Sequence, residues 1–152
     1  MSGGGDDSAG AARGRVAAVD LGSRRIGIAY SDSGRTLASP WGTVERSGDA
    51  ARDREAVVQA VRECEAGAVV VGLPLSLSGQ AGPAARAARV EAEALRGLLE
   101  PFGVTVETAD ERFTTVEAER NMRAAGRTGK AARAVVDSAA AMVLLQSWLD
   151  RR

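Results

Sequence analysis

Histidine is absent from this chain, and cysteine occurs once, as Cys64. Without histidine there is no Ser-His-Asp triad, no Cys-His triad and no His-ligated zinc site. A single cysteine cannot form an internal disulfide or a cysteine-rich zinc site, and its helical spacing from Val57 and Val61 favours a buried apolar position. Catalysis must therefore depend on carboxylates, hydroxyls, arginine, Lys130, Tyr30 or a bound cofactor. Oxygen ligands of this kind suit a hard divalent cation.

Long apolar runs are also missing, since no stretch approaches the ~20 residues that a membrane-spanning helix needs. Residues 1–14 are rich in Gly, Ser and Asp and lack the hydrophobic segment of a secretory signal. We therefore expect a disordered leader over residues 1–14 and a cytoplasmic protein. A length of 152 residues with 45% hydrophobic content predicts a single domain over residues 15–152.

Net charge and aromatic residues are scarce as well. The 20 basic and 20 acidic residues cancel, so no overall positive field indicates a nucleic-acid partner. Locally, residues 112–133 carry six basic and two acidic side chains. A solvated surface is the simpler interpretation of that segment taken alone. Aromatic residues make up 3% of the chain, so we expect any nucleic acid to be recognised by shape and backbone more than by base stacking.

Hydrophobic periodicity divides the remainder into five strands and four helices. The predicted strands cover residues 15–20, 26–30, 36–44, 68–71 and 104–108, with Gly72 ending the fourth. The predicted helices cover residues 49–65, 83–99, 114–125 and 132–149. Asp49 is a candidate N-cap, Pro83 suits a first helical turn, and Thr114 with Glu117 forms a capping box.

This order, βββαβαβαα, predicts an α/β fold. Short turns make the first three strands an antiparallel ribbon, and right-handed crossovers place strands four and five parallel to strand one. The simplest assembly is a mixed five-stranded sheet of spatial order 3-2-1-4-5, with strand 2 antiparallel and helices on both faces.

Acidic residues follow two of the parallel strands. Ligands of open α/β sheets bind beyond the carboxyl ends of such strands, where Asp20 and the pair Asp110-Glu111 arrive at one edge. Spacing alone does not choose between Asp110 and Glu111. An aspartate that ends an apolar central strand needs something to engage its charge, so Asp20 is a stronger candidate than a turn residue would be.

Asp137 is the third candidate, because it lies on the same helical stripe as Ala141, Leu144, Leu145 and Trp148. A carboxylate on that stripe needs a partner or a metal ion, although pairing with Arg133 or a frayed edge would also accommodate it. Three neighbouring carboxylates stay ionised together only if a cation neutralises them. Two Mg²⁺ or Mn²⁺ ions could then activate a water molecule and stabilise the leaving oxygen of a phosphodiester.

The glycine-rich segment 72–82 precedes a predicted helix, and such a junction can present backbone N–H groups to a phosphate. It lacks the Gly-Lys-Ser/Thr ending of a Walker A loop, and a plain loop is the equal alternative.

Four motifs in order resemble the YqgF/RuvX family. They are Val19-Asp20-Leu-Gly-Ser23-Arg-Arg-Ile26-Gly27, then Val71-Gly72-Leu-Pro74 with Gly79, then Asp110-Glu111-Arg112-Phe-Thr114-Thr115 with Glu117, and Asp137-Ser-Ala-Ala-Ala141 leading to Leu145-Gln146. The resemblance runs from about Arg15 to Leu149. It implies an RNase H-like fold and a nuclease assigned to 5′-end processing of pre-16S rRNA, in a family earlier described as Holliday-junction resolvase homologues.

The resemblance also implies functional residues. Asp20, Glu111 and Asp137 match the family's acidic triad, and the motif favours Glu111 over Asp110. Position 113 is Phe where the family more often has Leu, and Ala141 stands where related resolvases often carry a fourth acid. We interpret one set of residues as contacts to the substrate: Gly72, Arg112, Thr114, Thr115, Lys130 and Arg133.

The leading hypothesis is a nuclease that uses Mg²⁺ or Mn²⁺ to cut structured RNA, with branched DNA as the alternative substrate. A second hypothesis is an ATP-binding domain of the actin/Hsp70 kind, suggested by Asp-Leu-Gly-Ser followed by Ile-Gly-Ile. A single domain is insufficient for that function, because those proteins bind nucleotide between two such domains. A third is a ribosome-assembly or nucleic-acid-binding factor without catalysis. The oligomeric state stays open, with a homodimer as one option.

Overall fold

A computed structural model describes residues 14–74, 80–111 and 129–151, and over residues 129–137 it describes only the backbone of a helix. The predicted leader, apart from residue 14, and the predicted helix 114–125 lie outside these residues. No helix in the described ranges has the length and apolar character that crossing a bilayer requires.

The described chain contains five strands and three α-helices. The strands are β1 (Arg15–Leu21), β2 (Arg25–Ser31), β3 (Ala38–Glu45), β4 (Ala66–Leu73) and β5 (Thr105–Asp110). The helices are α1 (Ala50–Glu63), α2 (Pro83–Leu99) and α3 (Gly129–Asp150), with a short 3₁₀ helix at Glu100–Phe102.

The strands form one sheet of order β3-β2-β1-β4-β5, which confirms the predicted topology. β2 is antiparallel to both β1 and β3, whereas β4 is parallel to β1 and to β5. The carboxyl ends of β1, β3, β4 and β5 therefore lie at one edge of the sheet, which we call the rim. Pro40 lies in the edge strand β3, where the missing N–H of a proline is tolerated.

Apolar layers cover both faces of the sheet. The first, which we call the α1/α2-side core, includes Val19, Val71, Val57 and Leu95. The second, the α3-side core, includes Val16, Ala18, Val70 and the α3 residues Ala141, Leu144, Leu145 and Trp148. Burial on both faces explains why β1 and β4 are nearly continuous apolar runs with no polar alternation. The predicted inward stripe of the last helix is confirmed over these four residues.

Local signals set the helix ends. The Asp49 carboxylate accepts hydrogen bonds from the N–H groups of Ala51 and Arg52, which confirms it as the N-cap of α1. Pro83 occupies the first turn of α2 as predicted. Cys64 follows α1 and is buried, in agreement with its interpretation as an apolar position. Burial raises the pKa of its thiol to about 11.

The prediction that Gly72 ends the fourth strand is wrong. β4 continues to Leu73, because Gly72 pairs with Ala109 and Leu73 with Asp110 in the parallel ladder with β5. A neighbouring strand therefore carries the backbone past a residue of low intrinsic strand preference. This extension brings Gly72 level with the end of β5.

Gly22, directly after β1, and Gly97, within α2, should respond in opposite ways to replacement by alanine. A Cβ at Gly22 would lie 2.5 Å from the Arg25 carbonyl oxygen, so we expect Gly22→Ala to lower the free energy of unfolding by about 1–3 kcal/mol. Gly97 lies in α2 with no atom within 4 Å of its Cβ position, so Gly97→Ala should raise it by roughly 0.5–1 kcal/mol. Urea unfolding of both variants measures the difference, and changes of the same sign would contradict this account.

Candidate active site at the sheet rim

Strand alternation brings three positions to the face that α3 covers. In β1, Val16 and Ala18 belong to the α3-side core, so Asp20 has the same orientation. In β4, Val70 belongs to that core and Gly72 follows two residues later. After β5, Glu111 follows Ala109, which packs against the same core. The three positions are therefore neighbours at the rim.

The carboxyl groups of Asp20 and Glu111 are joined by a side-chain hydrogen bond. Both side chains are half-buried. Burial, followed by the negative charge of Asp20, raises the pKa of Glu111 to about 7 from its usual 4.5, and the hydrogen bond to Asp20 acts in the same direction. Burial also raises the pKa of Asp20, while its hydrogen bond with Glu111 lowers it. Below about pH 7, Glu111 therefore holds the proton and donates a hydrogen bond to Asp20.

Gly72 lies beside this pair and leaves room for it. A Cβ at Gly72 would lie 3.0 Å from Cγ and Oε2 of Glu111 and 3.0 Å from Cδ2 of Leu144. Contacts this short would force the Glu111 side chain to move, because the helix residue Leu144 closes the other side. A glycine at this point of β4 is therefore what allows Glu111 to approach Asp20 beneath α3.

The direction of α3 places Asp137 toward the rim. The Ser138 hydroxyl contacts Gly42 in the second half of β3, whereas Gln146 contacts Ala38 at its start. Since β3 ends at the rim, the chain of α3 approaches the rim as it is followed back toward its N-terminus. Asp137 directly precedes Ser138, so its backbone belongs to the rim half of the helix.

Other residues predicted for the site are described in part or not at all. Arg112, Thr114 and Thr115 lie outside the described residues. Lys130, Arg133 and Asp137 lie on α3, and their side chains are likewise outside the description. Their roles, and that of the acidic triad as a whole, remain predictions.

Asp110 ends β5 opposite Leu73, and its charge contributes to the raised pKa of Glu111. Glu111, not Asp110, is hydrogen-bonded to Asp20.

The described donors at the rim fit a hard divalent cation in chemistry. Carboxylate oxygens are the ligands that Mg²⁺ and Mn²⁺ prefer. Burial and the charge of Asp20 disfavour the ionised form of Glu111, which a bound cation would favour. Within residues 14–74, 80–111 and 138–151, no group of three or more acidic, cysteine or histidine side chains could hold a metal ion. Within that set, Asp20 and Glu111 are a pair of carboxyl groups and not a cluster of three.

Arg46 is a rim residue to which the sequence analysis assigned no role. Its Nε donates to the Gly22 carbonyl oxygen over 2.7 Å, and its N–H donates to the Arg24 carbonyl oxygen over 3.0 Å. Arg46 thus holds, by two hydrogen bonds, the turn between β1 and β2, just after Asp20. The antiparallel ribbon was the available signal, because it places the residue after β3 beside the turn between β1 and β2.

Sequence comparison matches this chain to one family over almost its whole length. The family model "RuvX: Holliday junction resolvase" matches residues 14–151. A Mycobacterium sp. (strain KMS) protein named "Putative pre-16S rRNA nuclease" is 48% identical over 140 residues, covering 92% of this chain and 82% of that protein. A protein of the same name from Rhodococcus opacus (strain B4) is 46% identical over 143 residues, covering 92% of this chain and 79% of that protein.

Solved structures share the fold. T. thermophilus RuvC in complex with Holliday junction substrate aligns with a TM-score of 0.63 at 16% identity, covering 91% of this chain and 95% of that chain. A second Thermus thermophilus RuvC structure aligns with a TM-score of 0.55 at 17% identity, covering 90% of this chain and 95% of that chain. The predicted RNase H-like architecture is therefore confirmed.

Replacing Glu111 by glutamine should stabilise the metal-free protein at high pH. Between pH 4.5 and about 7 the folded protein binds the Glu111 proton more tightly than the unfolded chain, so wild-type stability falls as pH rises through this window. Glutamine is neutral, and its amide can donate to Asp20 as the protonated acid does. We expect Glu111→Gln to raise Tm at pH 8 by a few degrees and to change it less at pH 5. Thermal unfolding in EDTA measures this, with the exposed Glu63→Gln as control, and a lower Tm for Glu111→Gln at pH 8 would contradict it.

Replacing Gly72 by alanine should displace the Glu111 carboxylate with little loss of fold. The added methyl group meets the movable end of Glu111 and Leu144 Cδ2, so side chains can yield before the backbone does. We expect Mn²⁺ affinity to fall about tenfold, as for loss of a group that orients a ligand. Calorimetric Mn²⁺ titration measures it. Gly82→Ala, where no atom lies within 4 Å of the Cβ position, is the control. If the Mn²⁺ affinity of Gly72→Ala stays within twofold of wild type, the close approach of Glu111 to Gly72 does not affect metal binding.

Proposed function

Because this chain belongs to the RuvX family and is a nuclease, we propose that it cleaves precursor 16S rRNA with divalent cations held by Asp20, Glu111 and Asp137. A precursor-rRNA substrate places the reaction in the cytoplasm. Each of the three acids comes from a different element: β1, the segment after β5, and α3.

The observation that carries this proposal is the hydrogen-bonded pair of Asp20 and Glu111 at the rim. Two carboxyl groups from segments far apart in the sequence share one proton in a half-buried place. Such an arrangement costs stability, and it is typical of functional sites. Deprotonation of Glu111 converts the pair into a dianionic oxygen site. Asp137 would add a third negative oxygen ligand from the helix that covers this face.

Two Mg²⁺ or Mn²⁺ ions, when bound, supply an activated water molecule and neutralise charge on a phosphodiester. The protein's part is to hold the carboxylates in place. Asp20 is fixed by the ladders on both sides of β1, and Gly72 leaves the space that Glu111 needs. Arg46 holds the turn after Asp20.

Substrate contacts are proposed for the basic and hydroxyl residues near the site. Arg112 follows Glu111 directly, and Lys130 and Arg133 lie in the first turns of α3. Arginine and lysine bind backbone phosphates and position a nucleic acid without reading its sequence. Thr114 and Thr115 would add hydroxyl donors, and the backbone at Gly72 would approach the strand.

Precursor rRNA is preferred as substrate because relatives at 46–48% identity carry that name. The description of the family model favours branched DNA as the second candidate. The RuvC complex supports the fold alone at 16% identity, so it does not decide between them.

Cleavage assays on a precursor 16S rRNA fragment test the proposal. We expect Mg²⁺- or Mn²⁺-dependent cutting that EDTA abolishes. Asp20→Asn, Glu111→Gln and Asp137→Asn should each lower kcat by more than about 100-fold, beyond the usual effect of residues that only orient a ligand. Because Glu111 must lose its proton to bind a cation, Mn²⁺ affinity should fall as pH drops below about 7.

Glu63→Gln is the matched control, since Glu63 is exposed on α1 away from the rim. A four-way DNA junction of equal length serves as the competing substrate. Preferential cutting of the junction would replace RNA by branched DNA in the proposal. Undiminished cutting by Asp20→Asn would reject the site, and binding of RNA without metal-dependent product would favour an assembly factor.

A further inference from the structure

Two polar side chains of α3 make three hydrogen bonds to β3 and to Thr36, just before it. The Ser138 hydroxyl donates to the Gly42 carbonyl oxygen over 3.2 Å, and Ser138 is fully buried. The Gln146 amide accepts from the Ala38 N–H and donates to the Thr36 carbonyl oxygen, each over 3.0 Å. The Gln146 side chain thus pairs with the backbone as a neighbouring strand would.

These contacts are spaced alike on both elements. Ser138 and Gln146 are eight residues apart on the helix, about 12 Å at 1.5 Å per residue. Gly42 and Ala38 are four residues apart on β3, about 13 Å at 3.3 Å per residue. Both contacts therefore form together in one axial register. A slip of one residue moves the helix by about 1.5 Å and turns it by roughly 100°.

The stretch of α3 next to Ser138 carries only small side chains, which do little to set this register. Residues 139–141 of α3 are all alanine, and burial of apolar surface has no direction. The buried Ser138 hydroxyl would lose its partner in another register, which is costly for a buried polar group. A bulge contributes too: Ile28 pairs with Gly42 and Ala29 with Pro40, so the backbone bends beside Gly42, whose φ is +139°.

We infer that Ser138 and Gln146 are positioning residues that fix the register of α3 and thereby the place of Asp137 at the rim. This rests on the proposed function, in which Asp137 is a cation ligand. Asp20 and Glu111 are held by the sheet, so the helix is the element whose position must be set separately. Ser138, next in sequence to Asp137, sets the rim end, and Gln146 sets the far end.

Single variants test the inference against a control on the same helix. Ser138→Ala and Gln146→Leu each remove one contact. Ser147→Ala is the control, because Ser147 is buried and its hydroxyl has no hydrogen-bond partner in the described part of the chain. Mn²⁺ titration of the protein without nucleic acid gives Kd, thermal unfolding gives Tm, and cleavage of the rRNA fragment gives kcat and KM.

We expect Ser138→Ala and Gln146→Leu to weaken Mn²⁺ binding about tenfold and to lower kcat, with KM within twofold of wild type. Ser147→Ala should stay within twofold in all three. A lower Tm with unchanged Kd and kcat would reduce Ser138 and Gln146 to structural residues and overturn the inference. Gln146 is only half-buried, so Gln146→Leu keeps the test open if Ser138→Ala unfolds.

A double variant separates this inference from the proposed function. In Asp137→Asn, the further change Ser138→Ala should have no additional effect on Mn²⁺ affinity, since both act through one carboxylate. Full additivity would overturn the positioning role while leaving the site intact. Unaltered Mn²⁺ binding and cleavage by Asp20→Asn would instead overturn the proposed function. Hydrogen exchange of residues 138–146 then tests the contacts of α3 with β3 independently of metal binding. Equal exchange rates in Ser138→Ala and Ser147→Ala would show that these contacts do not hold the helix.

Discussion

The hydrogen bond between Asp20 and Glu111 is the interaction on which the site depends, and it makes demands on the whole sheet. β1 and β5 are separated by β4, so their carboxyl ends meet only because all three strands run parallel and stop at nearly the same level. The intervening strand must also be small where the two side chains meet. Gly72 satisfies that requirement, and a Cβ at this position would lie 3.0 Å from Cγ and Oε2 of Glu111.

This arrangement sets stability against binding. A carboxyl group with a pKa of about 7 is one that the folded protein prefers to keep protonated. Near neutral pH the metal-free fold therefore favours a proton on Glu111, and in the proposed function a cation would replace that proton. Cation binding would release the proton and also favour the folded state, since the unfolded chain does not bring the two carboxylates together. The burial that lowers the stability of the metal-free protein would thus increase the stability gained when a cation binds.

Much of this could be predicted from the sequence, and the failures have physical causes. Strand order followed from short turns and right-handed crossovers, and the helix starts followed from Asp49 and Pro83. The end of β4 was wrong because the low strand preference of Gly72 is a local property, whereas its pairing with β5 is not. Spacing did not choose between Asp110 and Glu111, and the family resemblance favoured Glu111, the one that is hydrogen-bonded to Asp20. The backbone partners of Gln146 lie more than 100 residues earlier in the chain, beyond the reach of any periodicity.

The two kinds of support at the rim differ in how firmly they hold a side chain. The strand β1, which carries Asp20, is fixed by ladders of backbone hydrogen bonds on both sides, and a one-residue shift would turn the Asp20 side chain to the other face. A helix has no backbone ladder with the sheet, so its register depends on side-chain contacts. Specific polar contacts can therefore fix the position of a helix as precisely as a backbone ladder fixes that of a strand. Ser138 and Gln146 are placed to do so, one at each end of the segment that lies against β3. The proposed metal site, with ligands from both a sheet and a helix, would need such contacts, because metal coordination tolerates errors of only a few tenths of an ångström.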